Sequence, residues 1–357
     1  MRGLQGAARR RSRHLGRGRP AGPRPLDVLV PVQRRRRRSR KAPAAALAVA
    51  ALVGAGAGAW FSLGGGAAAR RPTASATTRE LAVAPRRAAR APRPGRRAPR
   101  PPRLLWGPPL LAGRAHVRVL APAAILVDAN TGRVLWAKRA HERRPIASTT
   151  KIMTALLALH EVPWWRSITV DRRATRVPLV REGLRAGERV RAWKLFYSLL
   201  LYSGNDDAAQ LAISAAGSIR AFLRQMNAEA RRLGLRDTHF TSPSGVIDRG
   251  NYSTAWDLAA LTRYALRNPR FRRLVRTKRI EVPWAPPTNA KIYLNNNWLL
   301  REYRGADGVK TGYTSKAGWC LVASATRRGR TLIAVVLHSP NMYADATRLL
   351  DLGFAHG

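Results

Sequence analysis

The chain has 357 residues, a formal net charge of +47 with a pI near 12, and a single cysteine, Cys320. That length accommodates one large domain or two, and the lone cysteine excludes an intramolecular disulfide framework. The charge taken alone suggests nucleic acid or an anionic surface as partner, yet about half of the excess precedes Arg103 and the rest is scattered over predicted helix faces, as solvated surface.

Residues 1–41, including the run Arg34-Arg35-Arg36-Arg37-Arg38, are basic, broken by proline and poor in periodic apolar residues, so they are expected to be a disordered tail. Residues 42–69 contain no charge and centre on an apolar stretch at 47–63. A dense positive block before such a stretch is the pattern of a membrane-inserting segment with its basic side in the cytoplasm. Two readings stay open: a retained single span, favoured by the length of the basic region, or a signal peptide cut near Ala67-Ala68-Ala69. Residues 70–105 form a Pro/Arg/Ala-rich, semi-stiff spacer, and 106–357 the folded domain.

Within that domain, Ala124-Ile125-Leu126-Val127 and Val134-Leu135-Trp136-Ala137 flank the turn formers Asp128-Ala129-Asn130-Thr131-Gly132 and predict a hairpin. A helix is predicted from Ser148 to Glu161, stopped by Pro163. A loop-rich insert at 164–191 carries two short strand candidates, at 168–170 and 188–190. Helices follow at 192–201 and from Asp206, then one capped by Ser218 with Phe222, Met226, Ala230 and Leu233 on one face, then one opened by a capping box at 254–257. Strands return at 309–312, 318–325 and 331–337, with Cys320 as a buried structural thiol, and a helix at 344–353 closes the domain. Strands, helices, strands and a helix predict an α+β domain in which one antiparallel sheet is built from both chain ends around an inserted helical block.

Three short motifs carry chemistry. In Ser148-Thr149-Thr150-Lys151, helical i,i+3 spacing sets the hydroxyl and amine side by side, and the apolar Ile152-Met153 flank supplies the desolvation that an amine needs to act as a base. Alone, the motif fits an N-cap serine and a solvated lysine as well. Ser203-Gly204-Asn205 offers a second hydroxyl and a carboxamide at a helix junction. Lys310-Thr311-Gly312 offers a cation and a hydroxyl for a carboxylate, beside a glycine that admits close backbone approach.

The ordered set Ser-x-x-Lys, Ser-x-Asn, Lys-Thr-Gly resembles that of penicillin-binding proteins and serine β-lactamases. The surrounding stretches Pro145-Ile146-Ala147-Ser148, Ser203-Gly204-Asn205-Asp206-Asp207-Ala208-Ala209 and Asp307-Gly308-Val309-Lys310-Thr311-Gly312-Tyr313-Thr314 look like the low-molecular-mass D-alanyl-D-alanine carboxypeptidases, serine peptidase family S11. The resemblance implies the penicillin-binding protein/β-lactamase-like fold, with 106–357 as a serine DD-peptidase domain outside a bacterial cytoplasmic membrane, or secreted to the wall if the N-terminal segment is cleaved. It implies a peptidoglycan stem peptide ending in D-Ala-D-Ala as substrate, β-lactams as acylating inhibitors, and no cofactor or metal. Carried over by position, Ser148 is the nucleophile, Lys151 its base and Ser203 the proton relay. Asn205 would hold the substrate amide and Lys310 and Thr311 its terminal carboxylate, Gly312 lies beside them, and the N–H groups of Ser148 and Tyr313 form the oxyanion hole.

Some relatives carry an arginine just before the last helix; Ser339-Pro340-Asn341-Met342-Tyr343 has none, so carboxylate affinity is expected to rest on Lys310 and Thr311. Several relatives also have a β-rich C-terminal domain and an amphipathic C-terminal membrane helix, whereas here any anchoring is expected to be N-terminal. No Glu-x-x-Leu-Asn pentad lies between Ser203 and Lys310, which disfavours a β-lactamase; a DD-endopeptidase of the same fold and a non-catalytic wall-binding module remain as alternatives. Nucleic acid is not expected, because the basic segments lack interleaved aromatics.

Overall fold

The computed structural model describes residues 104–105, 109–111, 117–246 and 249–356. The basic tail, the apolar segment and nearly all of the spacer expected above lie outside the described residues. Among those described, no helix is long and apolar enough to cross a membrane.

In chain order the elements are strands β1 (Ala123–Asp128) and β2 (Val134–Lys138), a 3₁₀ turn (Ala147–Thr150) and helix α1 (Lys151–Glu161). Next come β3 (Ser167–Thr169) and β4 (Arg189–Arg191), then α2 (Ala192–Tyr197), which runs on as a π turn (Ser198–Tyr202). Helices α3 (Asn205–Ala216), α4 (Ile219–Arg232), α5 (Ala255–Ala265) and α6 (Pro269–Arg276) complete the helical block. After them lie β5 (Arg279–Pro283), β6 (Ala290–Leu294), α7 (Leu299–Glu302), β7 (Ala306–Thr314), β8 (Gly318–Arg327), β9 (Arg330–Ser339) and α8 (Met342–Ala355).

The main sheet has the order β2-β1-β9-β8-β7, antiparallel throughout, so the chain's first and last strands are neighbours as expected. Every residue of β1 is buried, which explains its uninterrupted apolar run: both faces of the strand are covered. Ile125 and Val127 join Ile333 and Val335 in the core shared with α1 and α5, while Ala124 and Leu126 join Ala334 and Val336 under α8. Period-two alternation thus divides one apolar segment between two cores.

Ser218 accepts the Ala221 N–H at 3.1 Å and caps α4 as predicted. Thr254 caps α5 through the Asp257 N–H at 3.0 Å, but the capping box is not reciprocal: the Asp257 carboxylate turns instead to the Asp237 N–H and the Thr238 hydroxyl. Asp345 of α8 is fully buried and accepts the N–H groups of Leu120 and Ala121 and the Ser339 hydroxyl, tying the entry to β1 and the end of β9 to the last helix. The β5–β6 hairpin is absent from the sequence expectations. It forms a separate two-stranded sheet beside the helical block, with only Val282 and Tyr293 of its strand residues buried.

Candidate active site

The first motif is not the start of an α-helix. Ala147 takes a φ of 46°, in the left-handed region that costs an alanine about 1 kcal/mol or more, and Ser148 follows it in the 3₁₀ turn before α1 begins at Lys151. In a 3₁₀ turn, residues i and i+3 eclipse. The Lys151 side chain therefore lies against Ser148, with Nζ 2.9 Å from Oγ.

Lys151 is wholly buried. Its pKa is held well below the ordinary lysine value, first by burial and then by the nearby Lys310 ammonium, against the opposing charges of Asp207 and Asp206. Nζ has three partners, each at 2.9 Å: Ser148 Oγ, Asn205 Oδ1 and the Ser244 carbonyl oxygen. A neutral amine has two N–H groups and one lone pair. The carbonyl oxygens of Asn205 and Ser244 can only accept, so they take the two N–H groups and the lone pair is left to the Ser148 O–H. The geometry of a general base follows from this count of donors.

The loop that supplies Ser244 carried no prediction. Gly245 has a φ of 78°, and a Cβ there would stand 1.9 Å from the Ala147 carbonyl oxygen, so glycine is required where this loop crosses the 3₁₀ turn. Thr154 donates to the Pro243 carbonyl oxygen at 2.5 Å, and Asn251 donates to Thr150 Oγ1 at 3.1 Å. The signal in the sequence was the turn cluster Ser242-Pro243-Ser244-Gly245.

Ser203 ends the π turn with a φ of 76°, its N–H donating to the Ser198 carbonyl oxygen at 2.8 Å. It is nearly buried, and no hydrogen bond joins its hydroxyl to Ser148 or Lys151 in the described structure. At Gly204 a Cβ would fall 2.0 Å from Asp207 Oδ2. Asn205 is engaged at both ends: Oδ1 accepts from Lys151, and Nδ2 donates to the Pro178 carbonyl oxygen at 3.0 Å. Asp206 accepts the backbone N–H groups of Glu182, Gly183 and Leu184, which fastens the insert across this junction. Asp207 is fully buried and accepts the Ser198 hydroxyl at 2.5 Å; burial, aided by Asp206 and Glu182, pushes its carboxyl well above the usual range.

The third motif lies on β7, the strand at the open edge of the sheet. Alternate residues of an edge strand turn their N–H and C=O groups outward, where an extended peptide can pair. A Cβ on Gly312 would stand 3.0 Å from Ser148 N and 3.1 Å from both Ala147 Cβ and Ile146 O, so β7 lies flush against the nucleophile turn. Lys310 is 1% exposed and donates to the Thr311 carbonyl oxygen at 3.1 Å; burial lowers its pKa from 10.5 to about 7. Thr311 is half-buried, and the exposed Tyr313 ring rests on Trp319 with 4.4 Å between centroids. Asn297 anchors the start of β7 by donating to the Gly308 carbonyl oxygen at 2.7 Å.

The structure therefore gathers Ser148, Lys151, Asn205 and the β7 residues into one cleft, with Ser203 at the junction beside them. Among the described residues, no group of three or more His, Cys, Asp or Glu side chains could hold a metal ion.

A family model described as D-alanyl-D-alanine carboxypeptidase, Peptidase_S11, matches residues 112–341. The D-alanyl-D-alanine carboxypeptidase of Streptomyces sp. K15 is 36% identical over 256 residues, covering 66% of this chain and 88% of that protein. The carboxypeptidase DacF of Bacillus subtilis is 34% identical over 244 residues, and the match covers 66% of this chain but only 62% of the relative. The crystal structure of the Streptomyces K15 DD-transpeptidase superposes with a TM-score of 0.65 at 34% identity, covering 68% of this chain and 99% of that one.

Proposed function

Because this chain belongs to the D-alanyl-D-alanine carboxypeptidase family, peptidase family S11, we propose that it removes the terminal D-Ala from peptidoglycan stem peptides through an acyl-enzyme on Ser148. The observation that carries the reading is the buried Lys151 amine, whose two N–H groups are spoken for by carbonyl oxygens and whose lone pair faces the Ser148 hydroxyl at 2.9 Å.

On this reading the substrate lies along the open edge of β7, its terminal carboxylate met by the Lys310 ammonium and the Thr311 hydroxyl. Ser148 Oγ attacks the penultimate D-Ala carbonyl carbon as Lys151 takes the hydroxyl proton. The oxyanion is held by the Ser148 and Tyr313 N–H groups, donors already in place when charge develops. The C–N bond then breaks, and the proton passes from Lys151 through Ser203 to the departing nitrogen. Water, deprotonated by the same amine, cleaves the ester and restores Ser148. Asn205 serves first as a positioning residue for Lys151; binding a substrate amide requires its Nδ2 to exchange the Pro178 oxygen for the substrate.

Transfer of the acyl group to an amine instead of water is a second reading, motivated by the similarity to the Streptomyces K15 DD-transpeptidase and by the open β7 edge. Incubating the protein with a pentapeptide ending in D-Ala-D-Ala, with and without a glycine-terminated amine acceptor, separates the two. D-Ala release with a tetrapeptide product supports hydrolysis, a cross-linked product supports transfer, and release of neither from folded protein refutes both. Peptidoglycan lies outside the cytoplasmic membrane, so the apolar segment at 42–69 would serve to deliver or tether the domain there. Protease accessibility of the domain in intact spheroplasts tests that placement, and protection would count against it.

A further inference from the structure

Away from the cleft, the hairpin β3–β4, the start of α2 and helix α6 together present a surface of indoles and cations. The β3 and β4 strands pair Ser167 with Arg191, the Trp193 N–H donates to the Trp164 carbonyl oxygen at 3.1 Å, and Arg191 donates to the Trp165 carbonyl oxygen at 2.9 Å. Arg270 of α6 lies 5.9 Å above the Trp164 ring, which makes the helix continuous with the hairpin. Trp165 is 68% exposed. The stretches 163–170, 189–197 and 266–280 that build this surface contain no aspartate or glutamate. At its border Asp171 pairs with Arg173 at 2.7 Å, Glu188 accepts the Arg185 N–H at 2.9 Å, Glu281 faces Arg279 at 3.8 Å, and Glu161 is held by His160 at 2.9 Å.

A soluble surface gains nothing from an indole left in water, whereas tryptophan set among lysine and arginine suits the headgroup level of an anionic bilayer. The ring packing separates this from a platform for bases or sugar rings, which needs open and roughly parallel faces. The Trp164 face is stacked on Phe196 at 7° and overlain by Arg270, Lys194 sits 5.7 Å over Trp193, and Trp165 meets Trp164 and Trp193 edge-on at 86° and 69°. Only the Trp165 ring remains open, and its companions do not lie parallel to it.

We infer that this face docks onto an anionic lipid surface, with Trp165 entering the headgroup region and Arg191, Arg270 and Arg273 meeting phosphates. The contact uses none of the catalytic residues. Ser203 comes ten residues after Trp193 along α2 and its π continuation, about 15 Å away at helical rise, so docking would hold the cleft clear of the bilayer.

The basic N-terminal tail would itself bind anionic vesicles, so the test needs a reporter on the face. In the full chain, Ser167→Cys, an exposed and nearly isosteric change within the patch, is labelled with an environment-sensitive NBD group; Cys320 is buried. Ser315→Cys, in the turn after β7, is the control: the strand runs from Gly308 beside Val275 of α6 to Thr314, about 20 Å further on. With phosphatidylglycerol-containing vesicles, emission at 167 should rise and shift to the blue while emission at 315 does not, and phosphatidylcholine vesicles should have little effect. Combining Arg191→Gln, Arg270→Gln and Arg273→Gln should reduce the response by about tenfold or more, with penicillin acylation unchanged as proof of folding. No response at 167, equal responses at both positions, or a response to single-stranded DNA or soluble glycan in place of vesicles would overturn the inference.

Discussion

Replacing Lys310 with methionine is expected to stabilise the folded protein while removing the cation proposed to receive the substrate carboxylate. The side chain is 1% exposed, and its hydrogen bond runs to the Thr311 carbonyl oxygen, whereas an ammonium has three N–H groups to satisfy. A fall in pKa from 10.5 to about 7 means that the folded state binds this proton roughly three-thousandfold more weakly than the unfolded chain, an upper limit of roughly 5 kcal/mol. The sign follows from proton counts. Between about pH 7 and 10.5 the unfolded chain holds the proton and the native state does not, so stability rises with pH through that window; the cost is full below it and absent above it. Methionine removes the charge at similar length. Allowing for imperfect repacking, the variant should gain roughly 1–3 kcal/mol at pH 6.5, about 2–4 °C of Tm for each kcal/mol in a domain of this size. The gain should shrink as pH approaches 10.5, and D-Ala release should fall about 100-fold or more. Calorimetric melts of both proteins at pH 6.5, 8 and 9.5 decide the matter: a loss of stability at pH 6.5, or a gain that does not shrink with pH, would refute the reasoning.

Three further outcomes follow from the same cleft. Gly312→Ala puts a methyl 3.0 Å from Ser148 N, where only backbone can give way; a displacement of some tenths of an ångström should slow acylation by about 10- to 100-fold in stopped-flow with a fluorescent penicillin, with the protein still folded. Asp207→Asn copies the protonated carboxyl that burial favours, so Tm and acylation should change little, by under about 1 kcal/mol and roughly threefold. A large loss would mean that Asp207 works ionised. The proposed mechanism needs Lys151 neutral and Lys310 charged, so kcat/KM should rise with pH as Lys151 loses its proton and fall above about 7 as Lys310 loses its own. Lys310→Arg, which stays charged, should remove the alkaline limb of that profile.

Much of the sheet was legible because a strand buried on both faces shows as an unbroken apolar run, as in Ala123–Asp128. Turn residues such as Asn130 and Gly329 marked where those runs reverse. The spacing of the first motif carries over into space as the contact of Lys151 with Ser148, and the second and third motifs reach the same turn through Asn205 and Gly312. What stayed hidden depends on contacts between distant residues. The left-handed turn at Ala147 is packed by Gly245 and Gly312, whose missing side chains let the backbone come close, and neither neighbour is near in sequence. The insert looked loop-rich because its order comes from Asp206 accepting three of its N–H groups and from Gln210 accepting the N–H of Asp171. The β5–β6 hairpin escaped notice because the polar–apolar alternation of Arg279-Ile280-Glu281-Val282 is only four residues long and its partner Ala290–Leu294 does not repeat it in sequence.

The most direct test of the account is to treat the protein with a labelled penicillin, digest it and map the adduct. A single ester on Ser148, absent in Ser148→Ala and formed far more slowly in Lys151→Ala, is the expected result. An adduct on another residue, or none in protein that melts cooperatively, would contradict the assignment of nucleophile and base.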